Sequence, residues 1–263
     1  MIERTEEDGV VCLRMCHGKA SALDLEFLRA LRVAFDEERE RSTAPVVLTG
    51  TGRIFSAGVD LLRVTSAGDD YIRAFIPALD EALLAIFDFP RPVVAAVNGH
   101  AIAGGAVIAS TCDRRVFAAS GATIGVPELL VGVPFPAIPL EMVRRVLPQP
   151  HFETAVLLGE CVAGERALAL GWVDELRDAD EVLPRALETA RELARIPAQS
   201  YASTKELMHA ESNMRMRSLA DAQREAMIEQ WCCGTVQDAI RAFAQRTLSK
   251  SAAPSATDFS RSS

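Results

Sequence analysis

Five short apolar runs limit what this chain can fold into: residues 10–15, 46–49, 93–97, 115–118 and 173–176. Each is too short to be a helix that buries one face, so each reads as a strand. Between them Leu28, Leu31 and Phe35 recur at helical spacing, and farther on Ile72, Phe75, Leu79, Leu83 and Ile86 do the same. Strands alternating with helices imply an α/β chain whose helices cover largely parallel strands. The charge run from Asp36 to Arg41 reads as the solvated end of the first helix.

From about Leu183 onward the strand signals stop. Residues 186–195, 201–210 and 219–231 have helical patterns, with Pro197 between the first two. An all-helical end after an α/β body suggests a separate region for packing or assembly. The expected division is a core over residues 1–195, a helical assembly region over 196–250 and a small, polar tail over 251–263, expected to be disordered.

At 263 residues the chain can bury a sizeable core. Its 36 acidic against 28 basic residues leave a net charge of −8, which disfavours nucleic acid, and no aromatic-laced basic patch is present. A phosphorylated ligand stays compatible with that charge, because local Arg or Lys clusters can hold phosphate. Cys12, Cys16, Cys112, Cys161, Cys232 and Cys233 contain no CxxC pair, and a bridge between the adjacent last two would be strained. Idle thiols in a reducing compartment are the expectation. His17, His151 and His209 lack ligand spacing, so no metal is inferred. The N-terminus opens with charges rather than the apolar stretch of a signal peptide. The most apolar stretch, residues 92–109, is broken by Asn98-Gly99-His100 and Gly104-Gly105 and is too short to span a bilayer. These features predict a cytoplasmic protein without a membrane partner.

Three segments carry chemistry. The first is Ile54-Phe55-Ser56-Ala57-Gly58-Val59-Asp60-Leu61, after a strand and the turn Gly50-Thr51-Gly52. The second runs from Pro92 through Asn98-Gly99-His100 to Gly104-Gly105 and on to Thr111-Cys112-Asp113: a buried strand, a tight turn, then glycines opening a helix. Glycines at a helix start let backbone N–H groups approach a ligand, and the dipole there favours a developing oxyanion. Taken alone, the glycine pair fits close helix–strand packing equally well. The third is Ile124-Gly125-Val126-Pro127-Glu128-Leu129-Leu130-Val131-Gly132. Glu128 stands among apolar neighbours with no basic partner nearby in sequence, which predicts a raised pKa suited to a proton shuttle. Taken alone, it reads better as a surface acid at a helix N-terminus, where acids are common. Ser56 lacks the GxSxG context of a nucleophile and reads as a turn residue. His100 reads as structural.

In this order and spacing, over roughly residues 10–248, the segments resemble the enoyl-CoA hydratase/isomerase (crotonase) family. The stretch Ala169-Leu170-Gly171-Trp172-Val173-Asp174 fits the same pattern. The resemblance implies an α/β fold, a spiral of ββα repeats with a C-terminal helical trimerisation region, assembled as a trimer or dimer of trimers. It implies an acyl-CoA thioester substrate and no separate cofactor. The N–H groups of Ala57 and Gly104 would form the oxyanion hole, and Glu128 would be the catalytic acid–base. Lys19, Ala20 and Ala22 would contact CoA, with Ser21 where an asparagine is usual. Ser56, Ala57, Gly58, Val59, Asp60 and Leu61 would lie along the CoA, with Gly104 and Gly105 beside the thioester. Arg63 could meet a CoA phosphate, although Leu62 stands at the family's lysine position.

The first of the hydratases' two glutamates is Val107 here. Hydration of a double bond divides its work between two carboxylates, whereas moving the bond needs one. The resemblance therefore favours a 3-enoyl-CoA to 2-enoyl-CoA isomerase. The alternatives are a 2-enoyl-CoA hydratase or other crotonase chemistry, and an acyl-CoA-binding protein without turnover. Residues 131–139 carry prolines at 134, 136 and 139 and a phenylalanine at 135, which predicts a stiff, apolar wall to the acyl pocket.

Overall fold

Burial on both faces explains why the first strands read as continuous apolar runs and not as alternating ones. A computed structural model describes residues 1–252 of the chain. In it β1 (Ile2–Glu7) and β2 (Val10–Met15) form an antiparallel hairpin. Helix α1 (Leu25–Arg41) follows, its first turn capped by the Asp24 carboxylate, which accepts the Phe27 N–H at 2.7 Å.

A strand–strand–helix unit then recurs three times. β3 (Val46–Thr49) and β4 (Ile54–Ser56) lead to α2 (Leu61–Ser66) and α3 (Asp69–Phe87). β5 (Val93–Val97) and β6 (His100–Ile102) lead to α4 (Gly104–Thr111). β7 (Arg114–Ala118) and β8 (Ile124–Gly125) lead to α5 (Glu128–Val131) and α6 (Ala137–Val146). The chain continues through α7 (His151–Leu158), β9 (Cys161–Val162), α8 (Gly164–Leu170), β10 (Glu175–Arg177) and α9 (Val182–Ala194). It closes with α10 (Ala198–Cys232) and α11 (Gly234–Ala252).

The first strand of each unit enters a six-stranded sheet of order β1-β2-β3-β5-β7-β10, parallel from β2 onward. The second enters a four-stranded sheet of order β4-β6-β8-β9. Each repeat thus advances both sheets by one strand and delivers a helix start to the same edge. That repetition is what brings the three sequence segments together.

The structure amends the sequence reading in three places. Residues 201–210 and 219–231 belong to one 35-residue helix, α10, because the polar stretch between them contains no glycine or proline to break it. The strand expected at 173–176 sits at Glu175–Arg177. The charge run 36–41 is not wholly solvated. Glu38 lies on the core face with Leu28, Leu31 and Phe35, and its carboxylate is buried against Arg4 Nε at 2.6 Å. Of the tail expected over 251–263, residues 253–263 lie outside the described residues. Among the described residues no helix is long and apolar enough to cross a membrane.

The C-terminal helices fold back on the body. α10 packs on α3 and α6, while α11 packs on α2 and α5. Both therefore reach the edge where the repeats deliver their helix starts.

Candidate active site

At that edge a narrow cavity of about 110 Å³ opens between β4, α4, α5 and the C-terminal helices. Ala57, Val59, Gly104, Val107 and Glu128 line it, and so do Leu79, Val133, Phe135, Trp231 and Phe243. Nearly the whole wall is apolar, and among the described residues Glu128 is its one acid.

The backbone around Ala57 is set by the loop before α1. Ala57 N–H donates to Ala20 O at 3.0 Å, and Leu23 N–H donates to Gly58 O at 2.8 Å. Asp60 N–H in turn donates to Leu23 O at 3.0 Å. Because strand groups alternate in direction, bonds at 58 and 60 turn the N–H of Val59 the other way. Among the described residues neither Val59 N–H nor Gly104 N–H has an acceptor, and both residues line the cavity. The expectation that Ala57 supplies one of the two oxyanion amides is therefore corrected: its N–H is committed to Ala20, and Val59 carries the free one.

Two glycines permit that approach. Gly58 has φ +81°, and a Cβ there would lie 2.7 Å from Ala103 Cβ and 3.0 Å from Gly104 N. A Cβ on Gly105 would lie 2.2 Å from Ser56 O, so α4 can start only this close to β4 with glycine there. Ala103, preceding α4, holds φ 54° and ψ −126°, a strained conformation that aims the first N–H groups of the helix. Backbone strain of this kind clusters where geometry serves a ligand.

Glu128 begins the four-residue helix α5. The residue is half-buried, but its Oε2 is fully buried and without a hydrogen-bond partner. Burial is the dominant cause that pushes its pKa from 4.5 to about 8, against a smaller lowering by its own backbone N–H. Val107 on α4, 1% exposed, presents only methyl groups to the same cavity.

The other expected site residues divide by role. Leu61 lines the cavity. Ser56 is buried, its Oγ donating to Ser21 O at 2.7 Å, so it braces the loop and is no nucleophile. Ser21 itself sits at φ 43°, a left-handed conformation that asparagine tolerates better. Asp60 caps α2 by accepting the Arg63 N–H at 2.9 Å. Lys19, Ala20 and Ala22 run along the segment at 56–60, with Lys19 exposed. The Arg63 guanidinium is engaged within the chain, 2.8 Å from Glu26 and stacked over Tyr71. His100 Nδ1 lies 2.9 Å from Thr123 Oγ1 and ties β6 to the loop before β8.

Trp231 and Phe243 were not foreseen. Trp231 is buried, and its Nε1 donates to Pro134 O at 3.1 Å, tying the end of α10 to the wall before α6. Val236, Ile240 and Phe243 recur at helical spacing, the signal by which α11 could have been found.

The sequence profile described as enoyl-CoA hydratase/isomerase matches residues 5–249. An enoyl-CoA hydratase of Mycobacterium marinum is 33% identical, with a TM-score of 0.78 over 86% of this chain and 98% of that one. The mitochondrial enoyl-CoA delta isomerase 1 of Rattus norvegicus is 28% identical over 247 residues, 92% of this chain and 83% of the relative. The human mitochondrial delta3-delta2-enoyl-CoA isomerase, at 24% identity, shares the fold with a TM-score of 0.90 over 95% of this chain and 98% of its own. With a crotonase fold and a family match that spans both sheets and the C-terminal helices, this chain belongs to the enoyl-CoA hydratase/isomerase family.

Proposed function

We propose that within this family the protein shifts the double bond of a 3-enoyl-CoA to the 2 position. The observation that carries the reading is one acid, Glu128, with a buried carboxylate oxygen, in a cavity lined by Val107 and otherwise almost wholly by apolar groups. The thioester oxygen accepts hydrogen bonds from the Val59 and Gly104 N–H groups, replacing the pair first expected from Ala57 and Gly104. In its ionised form Glu128 takes the proton from C2. The electrons of that C–H bond delocalise through C3 and C4 and onto the oxygen, giving a dienolate that the two amides stabilise. The protonated Glu128 then returns the same proton to C4, which leaves the double bond between C2 and C3. No water enters and none is released. The apolar wall supports this route, because hydration needs a second polar group to hold its water.

Hydration is the second reading, favoured by the name of the Mycobacterium marinum relative. Supplying 3-enoyl-CoA and 2-enoyl-CoA separately to the purified protein separates the two. Conversion of the 3-enoyl ester, with little hydration of the 2-enoyl ester, is the expected result. Fast hydration without isomerisation would overturn the proposal, and tight binding with no turnover of either ester would mark a non-catalytic acyl-CoA binder.

A further inference from the structure

A second cleft, of about 380 Å³, lies between the end of α6 and the first half of α10 and shares no residue with the acyl cavity. That volume is in the range of ligand sites. Its floor holds a charge that, among the described residues, has no carboxylate within ion-pair distance. Arg145, in the last turn of α6, lies over the Phe87 ring at 5.0 Å, and one terminal nitrogen reaches Cys112 O at only 3.4 Å. Its Nε is buried without a hydrogen-bond partner, and among the described residues no carboxylate pairs with it. A guanidinium cannot shed its proton to relieve this.

The neighbouring acid is already in use. Asp113 Oδ2 accepts Lys205 Nζ and Val93 N–H, each at 2.8 Å, and Asp113 also bonds to Tyr201. His209, stacked on Phe87, is pushed down to about 4 by burial and stays neutral near pH 7. The cleft is thus lined by Arg114, Arg145 and Lys205 against Asp113 alone, an excess of positive charge in a protein whose net charge is −8. Arg114 is partly answered by Asp174 at 3.4 Å. The remaining wall is different in kind: Leu193, Ile196 and Met208 offer apolar surface, with Ile196 43% and Met208 70% exposed.

We infer that this cleft binds a small carboxylate bearing a short apolar chain, its carboxylate on Arg145 and its chain along Leu193, Ile196 and Met208. An anion alone would answer Arg145 but leave the apolar wall wet. A purely apolar ligand would leave the guanidinium buried and unpaired, which is the costly outcome. Only an amphiphilic anion satisfies both walls.

The test is calorimetric titration of the full chain with octanoate and, separately, with inorganic phosphate. Octanoate is expected to bind more tightly than phosphate. Arg145→Gln should weaken it by about tenfold or more, the loss of one charge-assisted contact. Met208→Asp, at an exposed position outside the buried polar network, should weaken it similarly with an unchanged melting temperature, which covers the case of an unstable Arg145 variant. Absence of octanoate binding, or phosphate binding as tight as octanoate, would overturn the proposal. So would octanoate binding indifferent to both substitutions, since the chain would then lie in the acyl cavity. If Met208→Asp instead broke up an oligomer formed by the unaltered protein, the cleft would be a contact between copies and the inference would fail.

Discussion

A carboxyl at the start of a helix is ordinarily held ionised by the N–H groups there, an effect of about 0.3–1 kcal/mol. Glu128 heads a helix of only four residues, while loss of water around Oε2 works against it on a larger scale, so burial wins and its pKa is held near 8. As the base must be ionised, kcat/KM for a 3-enoyl-CoA should rise with pH through about 8, well above the limb an ordinary glutamate would give. Glu128→Gln keeps the shape and removes the proton carrier, and kcat should fall by about 10²–10⁴-fold in steady-state assays. Gly58→Ala tests the amide pair independently. A methyl group at φ +81° and 3.0 Å from Gly104 N must push the two loops apart. The expected loss is about 10²–10³-fold in kcat, with a smaller change in KM, as for removal of an oxyanion donor.

At the scale of elements, the acyl cavity depends on how α10 hands over to α11. The break at Cys233-Gly234 is held by Gln237, buried, whose Nε2 donates to Trp231 O at 2.7 Å. This bond holds the turn after which α11 brings Phe243 to the cavity lining. Removing it in Gln237→Ala leaves Trp231 O without that donor and should cost about 1–3 kcal/mol. Amide exchange should speed up across residues 234–252 more than across α3 or α6, as read by mass spectrometry. Uniform exchange across all three helices would assign Gln237 no special part in the closure. The helical end was expected to serve packing or assembly. Within one chain it also walls the site, a role that periodicity alone does not show.

For the whole molecule, two buried carboxyls set a pH dependence of stability. Asp80, 6% exposed between α3 and α10, has its pKa raised from 3.8 to about 7 by burial, opposed by Arg224 at 3.8 Å and aided by Glu81. Its Oδ1 has no hydrogen-bond partner. Glu128 behaves alike. Between the unfolded and folded pKa values the native state holds a proton that the unfolded chain has released, so stability falls as pH rises through that window. The two groups' contribution is fully present below about 4 and lost by about 8. Asp80→Asn should therefore flatten the decline in melting temperature between about pH 4 and 7, and Glu128→Gln should flatten it further, up to about pH 8. Parallel curves for the variants and the unaltered protein would refute the assignment.

Much of this protein is legible along the chain because the interactions concerned are local or repeat at short intervals. The strands at 10–15, 46–49 and 93–97 announce themselves by apolar side chains that must leave water, and the helix at α4 by glycines that only close approach requires. Glu128 could be singled out because its neighbours are apolar. Which amide stays free could not be read from the chain: Ala57 and Val59 are two residues apart, and only the hydrogen bond from Ala57 to Ala20, across 37 positions of sequence, decides between them. The burial of Glu38, the single span of α10 and the presence of Trp231 and Phe243 over the cavity were settled the same way. Local sequence determines which groups seek burial, while the tertiary structure decides which partners they meet, because desolvation and hydrogen bonding depend on neighbours that folding alone brings together.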